Sequence, residues 1–260
     1  MTHHPETGHI INLASFDNLI KSAESLGSRY NPSNDTLTID SLKLLHKKCT
    51  EAFNEWSSAY LAWKRAVGDR KHEFNPLAKM ATRVINSASI TGIDSRMLDN
   101  GRSFIRLLRG KRLKPKRTKE QVEEDKLNGK EHKEISVSHL GYDMRIDHFR
   151  NLILFLKNIK NYSPNEKELT VETLSIYLQK LEESNSNVMH AYSALYRARA
   201  KRDQMLYGPC NGLTDTAQLV KSYIKAVYGP ASEQFRNISR IYFRKRELKF
   251  SVNESLSAVS

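Results

Sequence analysis

Apolar residues recur at steps of three and four over two long stretches of this chain. The first holds Leu42, Leu45, Cys49, Phe53, Trp56, Tyr60, Trp63 and Val67. The second, at a constant offset of 132, holds Leu174, Tyr177, Leu181, Asn185, Val188, Tyr192, Leu195 and Arg199. A period of 3.6 places such positions on one face, so each stretch predicts a long amphipathic helix, at about 38–72 and 170–205. Asn185 and Arg199 interrupt the second stripe. Sizes also change, from Trp56 to Val188 and from Trp63 to Leu195, so the two cores are not packed identically.

The correspondence extends in both directions. Just upstream, Tyr30, Pro32, Leu37, Thr38, Ile39, Asp40 and Leu42 recur as Tyr162, Pro164, Leu169, Thr170, Val171, Glu172 and Leu174. Each set reads as a Pro-containing turn opening a helix, with Asp40 or Glu172 in the first turn near free backbone N–H groups. Further back, Phe16, Leu19, Ala23 and Leu26 match Phe149, Leu152, Leu156 and Ile159 at an offset of 133. Downstream, Leu77, Ala81, Val84 and Ala88 match Leu213, Ala217, Val220 and Ile224 at an offset of 136. The small changes of offset fall in connections, where insertions cost little.

Each half therefore predicts a shorter, a long and a medium helix, at about 12–28, 38–72 and 76–90, then 140–161, 170–205 and 213–228. Turns at Phe74-Asn75-Pro76, Tyr207–Gly212 and Tyr228-Gly229-Pro230 punctuate them. A helix of about 35 residues runs roughly 50 Å and its neighbours about half that, so shorter helices can lie end to end along it. The sister unit is the simplest cover for what remains. The expected fold is all-α: an elongated up-down helical bundle of two tandem three-helix repeats with approximate internal twofold symmetry. One helical domain over 1–260 is expected, with a first repeat at 12–112, a charged linker at 113–139 whose composition also suits disorder, a second repeat at 140–249 and a flexible tail at 250–260. The ends of the repeats, Gly92–Arg112 and Tyr228–Lys249, are less regular. Ile105, Leu107 and Leu108, and Ile241, Tyr242 and Phe243, fit either short helical turns or extended pieces laid on the bundle.

At 260 residues the chain can bury a core without disulfides or metals. Two cysteines, Cys49 and Cys210, are too few for a disulfide framework and suit a reducing compartment. The start of the chain lacks a basic segment followed by an apolar run, and no stretch approaches a membrane span, so a cytoplasmic location is expected.

Charge changes the picture more. The chain carries 42 Lys and Arg against 29 Asp and Glu, a formal +13, which favours anionic partners. One cluster holds Arg102, Arg106, Arg109, Lys111, Arg112, Lys114, Lys116, Arg117 and Lys119 with no acidic residue among them. A second holds Arg236, Arg240, Arg244, Lys245, Arg246 and Lys249. These are the candidate polyanion-binding residues, because such density can neutralise phosphates. The competing reading is a solvated linker kept soluble by charge, and Glu120, Glu123, Glu124, Asp125, Glu131 and Glu134 offset the first cluster. Lys64, Arg65, Arg70 and Lys71, with Arg197, Arg199, Lys201 and Arg202, sit near the ends of the long helices. There cations favour the helix dipole and their stems cover apolar surface.

Reactive constellations are harder to find. His3, His4 and His9 fall at an expected frayed start, and His46, His72, His132, His139, His148 and His190 show no ligand spacing. Asp147 and His148 are adjacent and so diverge on a helix. Neither the carboxylate tetrad of di-metal bundles nor a phosphate-cradling or nucleophile-elbow motif occurs. Asn185, at the place of Phe53, is read as a residue that fixes register or is simply exposed, with Val188 and Met189 carrying the contact if the stripe rotates.

The strings Phe74–Asn86, Asn161–Leu169 and Tyr207–Ala217 resemble a group of uncharacterised bacterial helical proteins, and the resemblance covers about residues 12–250. It implies the helical architecture and a bacterial origin, and it lends no catalytic, cofactor or metal residues. The function expected is a non-enzymatic structural or protein-interaction module. The alternatives are electrostatic binding of nucleic acid or another polyanion through the basic segments, or an enzyme with an unfamiliar site.

Overall fold

A computed structural model describes residues 7–111, 118–128 and 141–244. Among them the chain is an all-α bundle of up-and-down helices with no strand. The helices are α1 (Thr7–Glu24), α2 (Ile39–Phe74), α3 (Leu77–Ser89), α4 (Ser95–Leu108), α5 (Lys119–Leu127), α6 (Tyr142–Lys157), α7 (Val171–Tyr207), α8 (Leu213–Tyr228) and α9 (Glu233–Ser239). No helix of the described residues is long and apolar enough to cross a membrane.

Five of the six expected helices lie within a few residues of their predicted bounds. The exception is α1, which begins five residues early and ends at Glu24, because Gly27 then takes a left-handed conformation (φ 58°) that stops the helix. Each irregular tail adds a further helix to the three expected per repeat. Ile105, Leu107 and Leu108 belong to α4, whereas Ile241–Arg244 follow α9 as a non-helical segment. Part of the expected linker, Lys119–Leu127, is α5.

The long helices begin with the same tyrosine and threonine contacts. Tyr30 Oη donates to the Leu37 carbonyl at 2.8 Å, and Tyr162 Oη donates to the Leu169 carbonyl at 2.7 Å. Short 3-10 turns, Asp35–Leu37 and Lys167–Leu169, follow each tyrosine. Thr38 and Thr170 then stand in extended conformation and accept the Ser41 and Thr173 N–H groups, each at 3.3 Å. A threonine oxygen serving the third N–H of the helix satisfies a donor that has no partner within the helix.

Compactness divides the chain inside α2 and α7. Residues up to Ala62 and from Tyr192 onward form one unit, and Trp63–Ala191 form the other. Each long helix therefore builds one unit with its first part and the other with its last. In the first unit Phe16, Leu19 and Ala23 of α1 share a core with Leu42 and Cys49 of α2, Leu206 of α7, and Leu213, Ala217, Val220 and Ile224 of α8. In the second, Phe149, Leu152 and Leu156 of α6 share a core with Leu174 and Leu181 of α7, Leu77, Ala81, Val84 and Ala88 of α3, and Leu108 of α4. The matched sequence positions of the short helices are thus buried as their periodicity required, apart from Leu26, which lies beyond α1 and is half-buried, but α1 packs with α8 and α6 with α3. In the second unit α4 lies close to its neighbours: a Cβ on Gly101 would stand 2.7 Å from Ile85 Cδ1 and 2.9 Å from a Phe155 ring carbon.

The buried tyrosines make a titration expectation. Desolvation pushes Tyr30, Tyr162 and Tyr177 up to about 12, and Cys49 likewise to about 12. Above their ordinary values of about 9 to 10, the unfolded chain releases protons that the folded chain keeps, so it binds fewer protons and stability falls. Stability from these groups is complete below about pH 9 and is lost as pH rises to about 12. Urea unfolding across this range should show a falling midpoint, and tyrosinate absorbance should appear late until the chain unfolds. A midpoint flat to pH 12 would contradict the burial.

Candidate functional site

The sequence-predicted basic residues are dispersed among different settings. Arg102 on α4 is exposed and pairs with Asp99 at 3.0 Å. Arg106 is half-buried, with Nε and Nη1 enclosed and lacking hydrogen-bond partners. Arg109 donates from Nη2 to Thr82 Oγ1 at 2.8 Å, and Lys111 is exposed. Lys119 opens α5. Arg236 and Arg240 are exposed, and Arg244 is half-buried. Arg112, Lys114, Lys116, Arg117, Lys245, Arg246 and Lys249 lie outside the described residues.

Two arginines of the long helices turn inward. In the second unit Arg70 lays its guanidinium 3.8 Å from the centre of the Tyr142 ring and donates to Asn185 Oδ1 at 2.8 Å. Asn185 in turn donates to Asp143 Oδ1 at 2.7 Å, so this amide ties α2, α6 and α7 together. Such a bond fixes helix register, because sliding one turn would strand its partners. Val188 is buried and Met189 exposed, so only the first of that pair carries packing. The Tyr142 ring meets Phe74 edge-on at 4.8 Å, and Arg145 lies 5.1 Å from the Phe74 ring. Arg145 Nη2 donates to the Phe74 carbonyl and Tyr177 Oη to that of Glu73, at 2.9 and 2.6 Å. The last turn of α2, whose carbonyls have no donors within the helix, is capped by side chains of α6 and α7.

The first unit solves the same problem at the end of α7. Arg202, whose side chain is 3% exposed, packs 4.3 Å from the Trp56 ring and donates through Nε and Nη2 to Asp203 Oδ1. Cys49 and Thr214 donate to the carbonyls of Met205 and Leu206. Tyr207 Oη shares a 2.8 Å hydrogen bond with His9 Nδ1 and accepts from Asn12 Nδ2 at 3.3 Å. His9 is only 2% exposed, which corrects the expectation of a frayed start: α1 begins at Thr7, and His9 sits between the Trp56 and Tyr207 rings. The Asn12 amide also clasps the backbone of Arg244, donating to its carbonyl at 2.9 Å and accepting its N–H at 2.8 Å. Beside it Lys221 donates to the Ile241 carbonyl and Phe243 is buried, so the segment after α9 is laid on α1 and α8.

Of the remaining histidines, His148 is buried on α6, His46 stacks on Phe16, and His72 and His190 are exposed. His3, His4, His132 and His139 lie outside the described residues. Among the described residues no group of three or more His, Cys, Asp and Glu side chains is placed to hold a metal ion. A depression of about 180 Å³ in the first unit is lined by Ser22, Ser25, Leu26, Glu233, Gln234, Asn237 and Ile238, and the hydroxyls of Ser22 and Ser25 donate to the carbonyls of Asn18 and Ser22.

Sequence reasoning missed a surface on the first unit. Tyr192 and Tyr196, four apart on α7, are 50% and 62% exposed, and Leu61 on α2 is 64% exposed. Glu55 of α2 pairs with Lys201 of α7 at 2.5 Å, on the side of α7 away from Tyr192. Tyr192 falls on the apolar stripe of the sequence and is nevertheless exposed. The signal that separates it is a stricter spacing: the buried positions Leu174, Leu181, Val188, Leu195 and Arg202 are seven apart, as are Leu42, Cys49 and Trp56. Comparison with protein-family models, curated proteins and solved structures finds no match.

The inward arginines should dominate stability. Arg202→Ala removes one partner of Asp203 and opens a void where the buried guanidinium packs on Trp56, so unfolding free energy should fall by about 2–4 kcal/mol. Arg199→Ala, three residues earlier and exposed, should change it by less than about 0.5 kcal/mol. Urea melts of the two variants check the contrast, and equal effects would contradict the assigned role.

Proposed function

We propose that this chain is a non-enzymatic helical module that binds another protein through the outward face of α7 in its first unit. The observation that carries the reading is the exposure of Leu61 on α2 and of Tyr192 and Tyr196 on α7. Large side chains of this kind, tyrosine above all, supply contact area at low entropic cost. Polar groups inside the two units are engaged in packing: Arg70, Asn185, Arg202, Tyr207 and His9 each bond or stack on another helix or ring. The same reading takes the two halves as copies of one three-helix unit related by approximate twofold symmetry. The matched Tyr30 and Tyr162 hydrogen bonds support it.

A photoreactive amino acid at position 196, compared with one at position 219 on α8, tests the proposal in cells producing the chain. A discrete protein adduct from position 196 and none from 219 is expected. No adduct from 196, or equal yields from both, would overturn it.

Polyanion binding through the tails is a second reading, favoured by the exposure of Arg236 and Arg240. It requires that affinity for labelled DNA or RNA drop steeply between about 50 and 200 mM salt. Absence of binding at low salt removes that reading.

A further inference from the structure

We infer that the partner of the α7 face is an acidic amphipathic helix, an inference that rests on the protein-binding reading above. The argument is charge complementarity around an apolar centre. From Trp56 to Ala62 on α2, and from Tyr192 to Arg202 on α7, no acidic residue occurs. The two acids that bound this zone are already neutralised from within it, Glu55 by Lys201 at 2.5 Å and Asp203 by Arg202 at 2.6 Å. Arg197 and Arg199 remain, both exposed and without an ion-pair partner among the described residues. On a helix, positions 192, 196 and 199 are successive neighbours on one side, and 197 lies further round. Tyr192 and Tyr196 thus present rings with cations to either side, and Leu61 adds an aliphatic group on the facing helix.

This combination fits a helix better than a nucleic acid. Leu61 has no π-face on which a base can stack, and two arginines neutralise two phosphates, too few for strong electrostatic binding. An amphipathic helix with apolar residues at steps of three and four and carboxylates at the flanks uses every element of the surface. Its apolar row covers Leu61, Tyr192 and Tyr196, and its acids meet Arg197 and Arg199 in bidentate fashion. Charged rims of this kind govern the association rate and partner choice, while the desolvated rings carry the affinity.

The test uses the full chain and a fluorescein-labelled peptide of about 20 residues, with leucine at helical spacing and glutamate elsewhere, read by fluorescence polarisation. A peptide of the same composition with scrambled order and a single-stranded DNA of similar length are the comparators. Saturable binding of the amphipathic peptide is expected, with the scrambled peptide weaker. The pair Tyr192→Ser and Tyr196→Ser should raise Kd by about tenfold or more. The pair Arg197→Ala and Arg199→Ala should weaken binding and flatten its salt dependence. All four positions are exposed, and circular dichroism confirms that each variant is folded. No peptide binding, equal binding of the scrambled peptide, or tighter binding of DNA through the same four residues would overturn the inference. Were position 196 still to cross-link a protein in cells, the interaction reading would stand and only the acidic helix would fall.

Discussion

The structure depends on two helices that are too long for their neighbours. At 1.5 Å per residue, α2 and α7 each run about 55 Å, while α1, α3, α4, α6 and α8 have 18, 13, 14, 16 and 16 residues. A short helix can cover only part of such a length. Whatever precedes α2 in the chain packs on its beginning, and whatever follows packs on its end. The burial of apolar surface is therefore split into two cores, and each core draws one short helix from before a long helix and others from after one. The exchange of partners, α1 with α8 and α6 with α3, follows from helix length rather than from any special interface chemistry.

Length also creates the polar problem. The last carbonyls of α2 and α7 lie among packed helices, where an unmet acceptor costs about 1–3 kcal/mol. Tyr177, Arg145, Cys49 and Thr214 meet them. One turn earlier Arg70 and Arg202 spread over Tyr142 and Trp56, using the flat guanidinium as a packing surface while its edges find Asn185 or Asp203. The two units use different residues for equivalent tasks, as the changes from Phe53 to Asn185 and from Trp56 to Val188 require. Where the core loses a ring it gains a hydrogen-bonded amide.

Periodicity made the helices and most core positions legible. All eight paired positions on α3 and α8, from Leu77 with Leu213 to Ala88 with Ile224, are fully buried. A stripe names a face and not the helix it meets, so the exchange of partners could not be read from it. It also blurs over a long helix, because 3.6 and 3.5 residues per turn diverge by about 20° per heptad. That drift is why Tyr192, on the predicted stripe, is exposed, while Arg202, off it, is buried. The helix in Gly92–Arg112 was obscured by Gly101, a poor helix former that is needed because Ile85 and Phe155 come within 3 Å of where its Cβ would lie. His9 looked terminal by position alone, and its burial comes from Trp56 and Tyr207, residues remote in sequence.

Charge was legible as a total and misleading as a map. The surplus of +13 is densest in two runs, yet within them Arg102 is paired with Asp99, Arg106 is enclosed and Arg109 donates to Thr82. On the α7 face Arg197 and Arg199 are exposed and have no ion-pair partner among the described residues, and the local charge density is ordinary. A protein surface becomes selective through what its charges surround. Arg197 and Arg199 flank exposed rings on a helix held in place by the buried Arg202 beneath. The same helix thus buries one arginine against Trp56 and leaves two at the surface beside exposed rings.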